Sequence, residues 1–238
     1  MTLFEKSGQL GGQLVHSDLV SFKWPLSHFK NYLARQTYQS GVRVLLNTAA
    51  TPELIRAGRF DAVIAALGAT PAMPDIPVDA DAVVHDPVSV YGLEDVLGKK
   101  VVIVGGSSTG AETGIHLAEK GHEVVVLTRK AVLAEDSQVV HFYDTMAKAW
   151  EALPNFSWIP KARTTHVHKN GVSYTDGDGN EQLIEADSII LCGGVTPHQE
   201  EALTFYGTAD WCTVIGDCEK PGNVQKCMRQ ALAAVTAL

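Results

Sequence analysis

Lys99 and Lys100 lead into the unbroken apolar run Val101-Val102-Ile103-Val104, which passes directly into Gly105-Gly106-Ser107-Ser108-Thr109-Gly110-Ala111-Glu112. A helix-forming stretch follows to Lys120, Gly121 stops it, and Glu123 to Leu127 turns apolar again. A buried strand, a glycine turn, a helix and a second strand in that order predict a parallel β-α-β unit, because parallel strands need a crossover of about a dozen residues between them. Ala111, Ile115 and Ala118 recur at helical spacing and give the helix a small-residue face that can lie close to a sheet.

The turn has the register G-x-S-x-x-G, with Gly105, Ser107 and Gly110 at the three positions of a dinucleotide-binding fingerprint. Gly105 permits the tight strand-to-helix turn and Gly110 lets the helix approach the strand. Ser107 departs from glycine, so its hydroxyl either joins the phosphate contacts or crowds them. The competing reading is a nucleotide-free structural turn. Thr128 stands where an NAD-type unit carries its ribose-binding acid, and Arg129 and Lys130 follow it. A cation beside a small hydroxyl suits a 2'-phosphate, which favours NADP over NAD unless Arg129 and Lys130 are simply solvated.

Elsewhere the chain repeats α/β logic. Pro25 to Ser40 carries Leu26, Phe29 and Leu33 at helical spacing and gives way at Gly41 to a strand, Val42 to Leu46. Asp61 to Leu67 and Ala186 to Cys192 each read as an acid followed by a buried strand, ending at Gly68 and at Gly193-Gly194. Asp144 to Leu153 predicts a helix, Phe156 to Ile159 a strand, and Arg163 to Ile184 a meander around the turn Asp176 to Asn180. Thr213 to Cys218 is a short strand ending in Gly216-Asp217, and Asn223 is placed to cap a helix from Val224 to Leu238.

The first residues, Thr2-Leu3-Phe4-Glu5-Lys6, read as a strand ending on an acid, the arrangement that holds an adenosine ribose at the end of a second Rossmann strand. The alternative for Glu5 is a solvated charge. Because no strand and glycine turn stand ahead of Glu5, the expectation is a domain met after its first strand, as in a truncated or split gene product.

The 238 residues are 45% hydrophobic with a formal net charge of -8, which suits a globular α/β chain and disfavours nucleic-acid or anionic-membrane surfaces. No apolar run reaches the roughly 20 residues of a membrane span and no signal peptide is evident, so a cytoplasmic location is expected. Cys192, Cys212, Cys218 and Cys227 form no C-x-x-C pair, and no metal or iron-sulfur site is expected. None of the nine histidines has a metal-ligand or nucleophile-base spacing; His166 and His168 share one strand face and read as exposed. Asp217 beside Cys218 would raise the thiol pKa, which predicts an inert, packed cysteine.

Taken in order, Glu5, Leu10 to Gln13, Ala66-Leu67-Gly68-Ala69-Thr70-Pro71, the Gly105 fingerprint and Ile215-Gly216-Asp217-Cys218 resemble the C-terminal half of the bacterial NADH:flavin oxidoreductases related to 2,4-dienoyl-CoA reductase and 2-enoate reductase. The resemblance implies a Rossmann-like, three-layer α/β fold. It places an NAD(P)-binding domain at 85–185 within an incomplete FAD-binding domain formed by 1–84 and 186–238. It implies hydride transfer from a nicotinamide dinucleotide to FAD and onward electron passage to a flavin-barrel domain or chain, whose residues and cluster cysteines this sequence lacks. By position, Glu5 would hold the FAD ribose, Asp217 the ribityl-phosphate region, Gly105, Ser107 and Gly110 the nicotinamide dinucleotide, and Gln13 would lie near the flavin. Lys6, Gly12, Gly68, Gly106, Ser108, Thr109, Thr128, Arg129, Gly194 and Gly216 complete the candidate cofactor-binding set. No side chain is assigned a catalytic role, since hydride transfer is cofactor chemistry. The rival expectation is a non-catalytic nucleotide-binding module that docks on a partner chain.

Overall fold

In the computed structural model, which describes residues 1–137 and 140–238, the run around Val101 is the central strand of a five-stranded parallel sheet. The strand order is Val84–His85, Ser188–Leu191, Lys100–Val104, Glu123–Leu127, Phe156–Ile159. Strands buried on both faces need continuous Val, Ile and Leu, which is what Val101 to Val104 and Ile189 to Leu191 supply. Successive side chains alternate between the faces. Val101 and Ile103 pack with Ala111, Ile115 and Leu117 of the helix Ser108–Glu119 and with Met146 and Trp150 of the helix Val140–Glu151. Val102 and Val104 face the other way, against Val167, Val172 and Tyr174.

Those last three residues belong to an antiparallel sheet in the order Glu181–Glu185, Gly171–Thr175, Arg163–His168. Helices, parallel sheet and meander thus make the expected Rossmann-like three-layer α/β arrangement. Asp176 closes the meander turn by accepting hydrogen bonds from the Asp178 and Asn180 backbone N–H groups at 3.0 and 2.9 Å.

By contacts the chain divides into two units. The one just described comprises His16–Pro25 and Pro71–Gly194. Within it, the segment before Pro25 is fastened by a buried ion pair, Lys23 Nζ to Glu112 Oε2 at 2.5 Å, and by Phe22 against Phe142. The strand Ser188–Leu191, expected to carry the chain back into the interrupted first domain, lies between Lys100–Val104 and Val84–His85 in this unit's sheet. A strand buried at every position carries no periodic mark of which sheet receives it. His166 and His168, expected to be exposed, are half-buried and both hydrogen-bond to Asp79.

The other unit comprises Met1–Val15, Leu26–Thr70 and Val195–Leu238. Its strands form two-stranded parallel ladders, Thr2–Phe4 with Arg43–Leu45 and Ala62–Ala65 with Trp211–Val214. A small core of Ile55, Ala65, Ala202, Phe205 and Cys218, with Phe4, Phe60 and Val214 against it, joins both ladders. The helix Trp24–Gln39 buries no residue, and Val224–Thr236 buries Ala234 alone. Asn223 caps the latter, its Oδ1 accepting from the Lys226 N–H at 2.9 Å. The helix Pro52–Gly58, capped by Thr51, was not expected from the sequence. Short ladders around few buried side chains make this the less protected unit.

Candidate functional site

The Gly105 turn leaves the sheet at the carboxyl end of its central strand, the position where open α/β sheets bind ligands. Gly105 has φ 115°, a left-handed value glycine tolerates, and a Cβ there would overlap the Cys192 carbonyl. A Cβ on Gly110 would overlap the Gly105 carbonyl oxygen, so only glycine lets the helix start this close to the strand. Ser107 is the N-cap in extended conformation, but its hydroxyl caps no helix N–H.

One N–H of the first turn is already engaged. The Ser108 backbone N–H donates to Asp136 Oδ1 at 2.7 Å. The loop that carries Asp136 folds over the turn: Ala134 N–H donates to the Gly106 carbonyl at 2.9 Å, and Leu133 and Ala134 are fully buried. Asp136 was not singled out in the sequence, where no spacing rule ties it to Ser108. Thr128 is buried against Gly106, and its hydroxyl accepts from the Lys130 N–H at 3.2 Å. Arg129 is exposed beside it, whereas Lys130 is paired to Glu135 at 3.3 Å.

Behind the turn lies a polar layer. Burial raises the Glu112 carboxyl pKa against the opposing pull of Lys23. Burial also pushes the Glu94 carboxyl up, but hydrogen bonds from His116 and the backbone outweigh it and hold Glu94 at about 2. Burial, with Asp86 nearby, pushes the Cys192 thiol to about 12, which makes it inert. Gly194 has φ 90° and follows the strand that neighbours the turn.

In the other unit the candidate residues gather at strand ends. Glu5 follows Thr2–Phe4, and its carboxylate accepts from the Ser7 N–H at 2.7 Å, while Lys6 is exposed. Gly12, at φ 51°, precedes Gln13, whose Nε2 donates to the Ala69 carbonyl at 2.7 Å and ties that loop to Gly68. The Leu67 N–H donates to Cys218 Sγ at 3.2 Å, which brings Gly68 beside the Gly216-Asp217 turn. Gly216 N–H donates to Gln230 Oε1, and Asp217 Oδ1 accepts from Gly222 N–H, each at 2.9 Å. Cys218 is fully buried, as expected of a packed thiol.

The comparisons agree with this geometry. The family described as pyridine nucleotide-disulphide oxidoreductase matches residues 47–231. A "Metal reductase" of Desulforamulus reducens is 25% identical over 97% of this chain and 39% of its own length. A "Cinnamate reductase" of Clostridium sporogenes is 28% identical over 94% of this chain and 33% of its own. The solved structure of a 2-naphthoyl-CoA reductase superposes with a TM-score of 0.88 at 25% identity, covering 96% of this chain and 34% of that one. The chain therefore spans between a third and two fifths of the length of these relatives. No helix among the described residues is long and apolar enough to cross a membrane. With a glycine turn at the carboxyl end of the central parallel strand and a family match over most of its length, this chain belongs to the pyridine nucleotide-disulphide oxidoreductase family.

Proposed function

We propose that this chain is the dinucleotide-handling part of a flavin-dependent NAD(P)H oxidoreductase, taking hydride from NAD(P)H to FAD for onward transfer to a substrate-reducing flavin-barrel domain or chain. The observation that carries the reading is the Gly105–Gly110 turn, where a Cβ at 105, 106 or 110 would overlap Cys192, Thr128 or the Gly105 carbonyl, so that only glycine lets the helix open this close to the strand end. It gives a dinucleotide pyrophosphate a helix N-terminus, Ser108–Glu119, at which to bind. Gly106, Ser107, Ser108 and Thr109 would line that contact, and the exposed Arg129 would meet the adenosine ribose and favour a 2'-phosphate. On the FAD side, Glu5 and Lys6 would take the adenosine ribose, Gly12, Gln13 and Gly68 the flavin region, and Gly216 and Asp217 the ribityl chain, with Gly194 at the NAD(P) unit's strand end. When bound, the nicotinamide and flavin supply the hydride chemistry; the protein's part is to bind, orient and keep water from the two rings.

Fluorescence titration tests the nucleotide half of this reading. NADPH is expected to bind more tightly than NADH, and Arg129→Ala to weaken NADPH about tenfold while leaving NADH unchanged. Equal affinity for the two, unaltered by R129A, contradicts the assignment of Arg129.

A second reading, a nucleotide-binding module docked on a partner chain, is favoured by the sparse core of the 1–15, 26–70 and 195–238 unit. Met228, Leu232 and Val235 stand exposed along its last helix, an unusual density of apolar side chains for a free helix face. Nucleotide affinity without retained flavin is the outcome that selects this reading.

A further inference from the structure

We infer that Asp79, His166 and His168 form a binding site for a divalent transition-metal ion of the Co²⁺ to Zn²⁺ part of the series. One ligand atom from each lies within 4.8 Å of the other two. His166 Nε2 is 2.7 Å from Asp79 Oδ1, and His168 Nδ1 is 3.3 Å from Asp79 Oδ2. Metal–ligand bonds of roughly 2.0–2.2 Å put neighbouring ligand atoms about 3 to 3.5 Å apart; the His168–Asp79 separation falls in that range, and the His166–Asp79 pair, a hydrogen bond at 2.7 Å, would open by a few tenths of an ångström to admit the ion.

The site is assembled by backbone. Val78 bridges Val167 in parallel, Asp79 N–H donates to the Val167 carbonyl, and Val167 N–H donates to the Pro77 carbonyl, each hydrogen bond 2.9 Å. Val167 is fully buried, so its neighbours at the two alternate positions of the strand project together to the opposite face, toward the carboxylate. Their rings stack 4.4 Å apart, with planes 5° from parallel. Closing on one ion asks the rings to pivot out of this stack, with no movement of the strand.

The outer partners suit a ligand set. Ser173 Oγ lies 2.8 Å from His168 Nε2, which orients the ring and leaves Nδ1 toward Asp79, as a hydrogen-bonded second nitrogen does in metal-bound imidazoles. Side-chain exposures of 38–39% give the ion an entry path. The adjoining charges, Lys169 and Asp81, pair with each other at 3.3 Å and do not compete for the ligands. Two imidazoles and one carboxylate select Co²⁺, Ni²⁺, Cu²⁺ or Zn²⁺ and discriminate against Mg²⁺ and Ca²⁺, which take all-oxygen sets. Such an ion would pin the 77–79 segment to the meander, a role separate from the dinucleotide turn.

The test is a titration of untagged full-length protein with Co²⁺, followed by visible absorption, and with Zn²⁺ by equilibrium dialysis. The expected result is one equivalent bound and a ligand-field spectrum that Mg²⁺ in excess leaves unchanged. His166→Ala, His168→Ala and Asp79→Asn should each raise the Kd at least tenfold, and Ser173→Ala by a smaller factor. Imidazole ¹H–¹⁵N spectra of the unaltered protein keep the inference testable if a variant fails to fold: Zn²⁺ should shift the rings of His166 and His168 and leave His85 and His122 in place. Ring resonances that Zn²⁺ leaves in place, or a Co²⁺ affinity equal in the unaltered protein and the H166A/H168A double variant, would overturn it.

Discussion

The carboxylate of Asp136 accepts a 2.7 Å hydrogen bond from the backbone N–H of Ser108, the first residue of the helix that opens from the glycine turn. An anion at a helix N-terminus is stabilised by the free N–H groups and the helix dipole, and a dinucleotide pyrophosphate would draw on the same groups. Asp136 therefore stands in for the ligand and also repels it. Asp136→Asn is expected to tighten NADPH about three- to tenfold in a fluorescence titration, in line with the roughly 0.5–1.5 kcal/mol such a charge contributes. Weaker binding in D136N would show instead that Asp136 holds the turn in its binding geometry.

Glycine at 110 is required by contact, whereas glycine at 121 is required by conformation. A Cβ at 110 would meet the Gly105 carbonyl, and one at 121, where φ is 97°, would meet nothing within 4 Å. Gly110→Ala should lower stability by about 2 kcal/mol or more and abolish dinucleotide binding, since the helix must shift away from the turn. Gly121→Ala should cost only about 1 kcal/mol and leave binding intact. Chemical denaturation alongside the nucleotide titration separates the two, and equal effects of both variants would contradict the close-approach argument.

Lys23 and Glu112 lie 2.5 Å apart with side chains 10% exposed. Removing one partner strands a buried charge, so Lys23→Met should destabilise by about 3–5 kcal/mol at neutral pH, whereas replacing both by apolar residues should be close to neutral. Glu112 already has a raised pKa. A carboxyl of this kind keeps its proton in the folded state at a pH where the unfolded chain has released it, so stability falls as pH rises from the unfolded value toward the folded one. The deficit of K23M should accordingly shrink on acidification through that window. Urea midpoints at several pH values read this directly, and a pH-independent deficit speaks against an ionic origin.

Glu94 runs with the opposite sign. Its folded-state pKa of about 2 lies below the ordinary glutamate value of 4.5. The stability it contributes is present above the unfolded pKa and is lost as pH falls from 4.5 toward 2. Glu94→Gln should remove up to about one proton from the acid limb of the stability profile, measured as the slope of unfolding free energy against pH. An unchanged slope would mean that the His116 contact is not maintained in solution.

What the sequence disclosed was local. Val101 to Val104 and the Gly105–Gly110 register announce themselves because a buried parallel strand and a close-packed turn each restrict residue type at consecutive positions. The Asn223 cap and the Asp176 to Asn180 turn were readable for the same reason. Features that depend on pairing across the chain were not. Asp136 reaches Ser108 from 28 residues away, Asp79 reaches His166 from 87, and Lys23 reaches Glu112 from 89. Ser188–Leu191 illustrates the same limit for strands, since its apolar run is equally at home in either sheet. Thr128 is buried against Gly106 while its neighbour Arg129 is exposed, a difference that adjacent positions in the sequence do not mark.

The most direct test is an anaerobic visible spectrum of the purified protein, incubated with FAD and desalted, taken before and after NADPH is added. A retained flavin spectrum that bleaches on addition of NADPH is the predicted result, with bleaching lost in G110A. Failure to retain flavin, or retained flavin that NADPH leaves oxidised, would contradict hydride transfer by this chain.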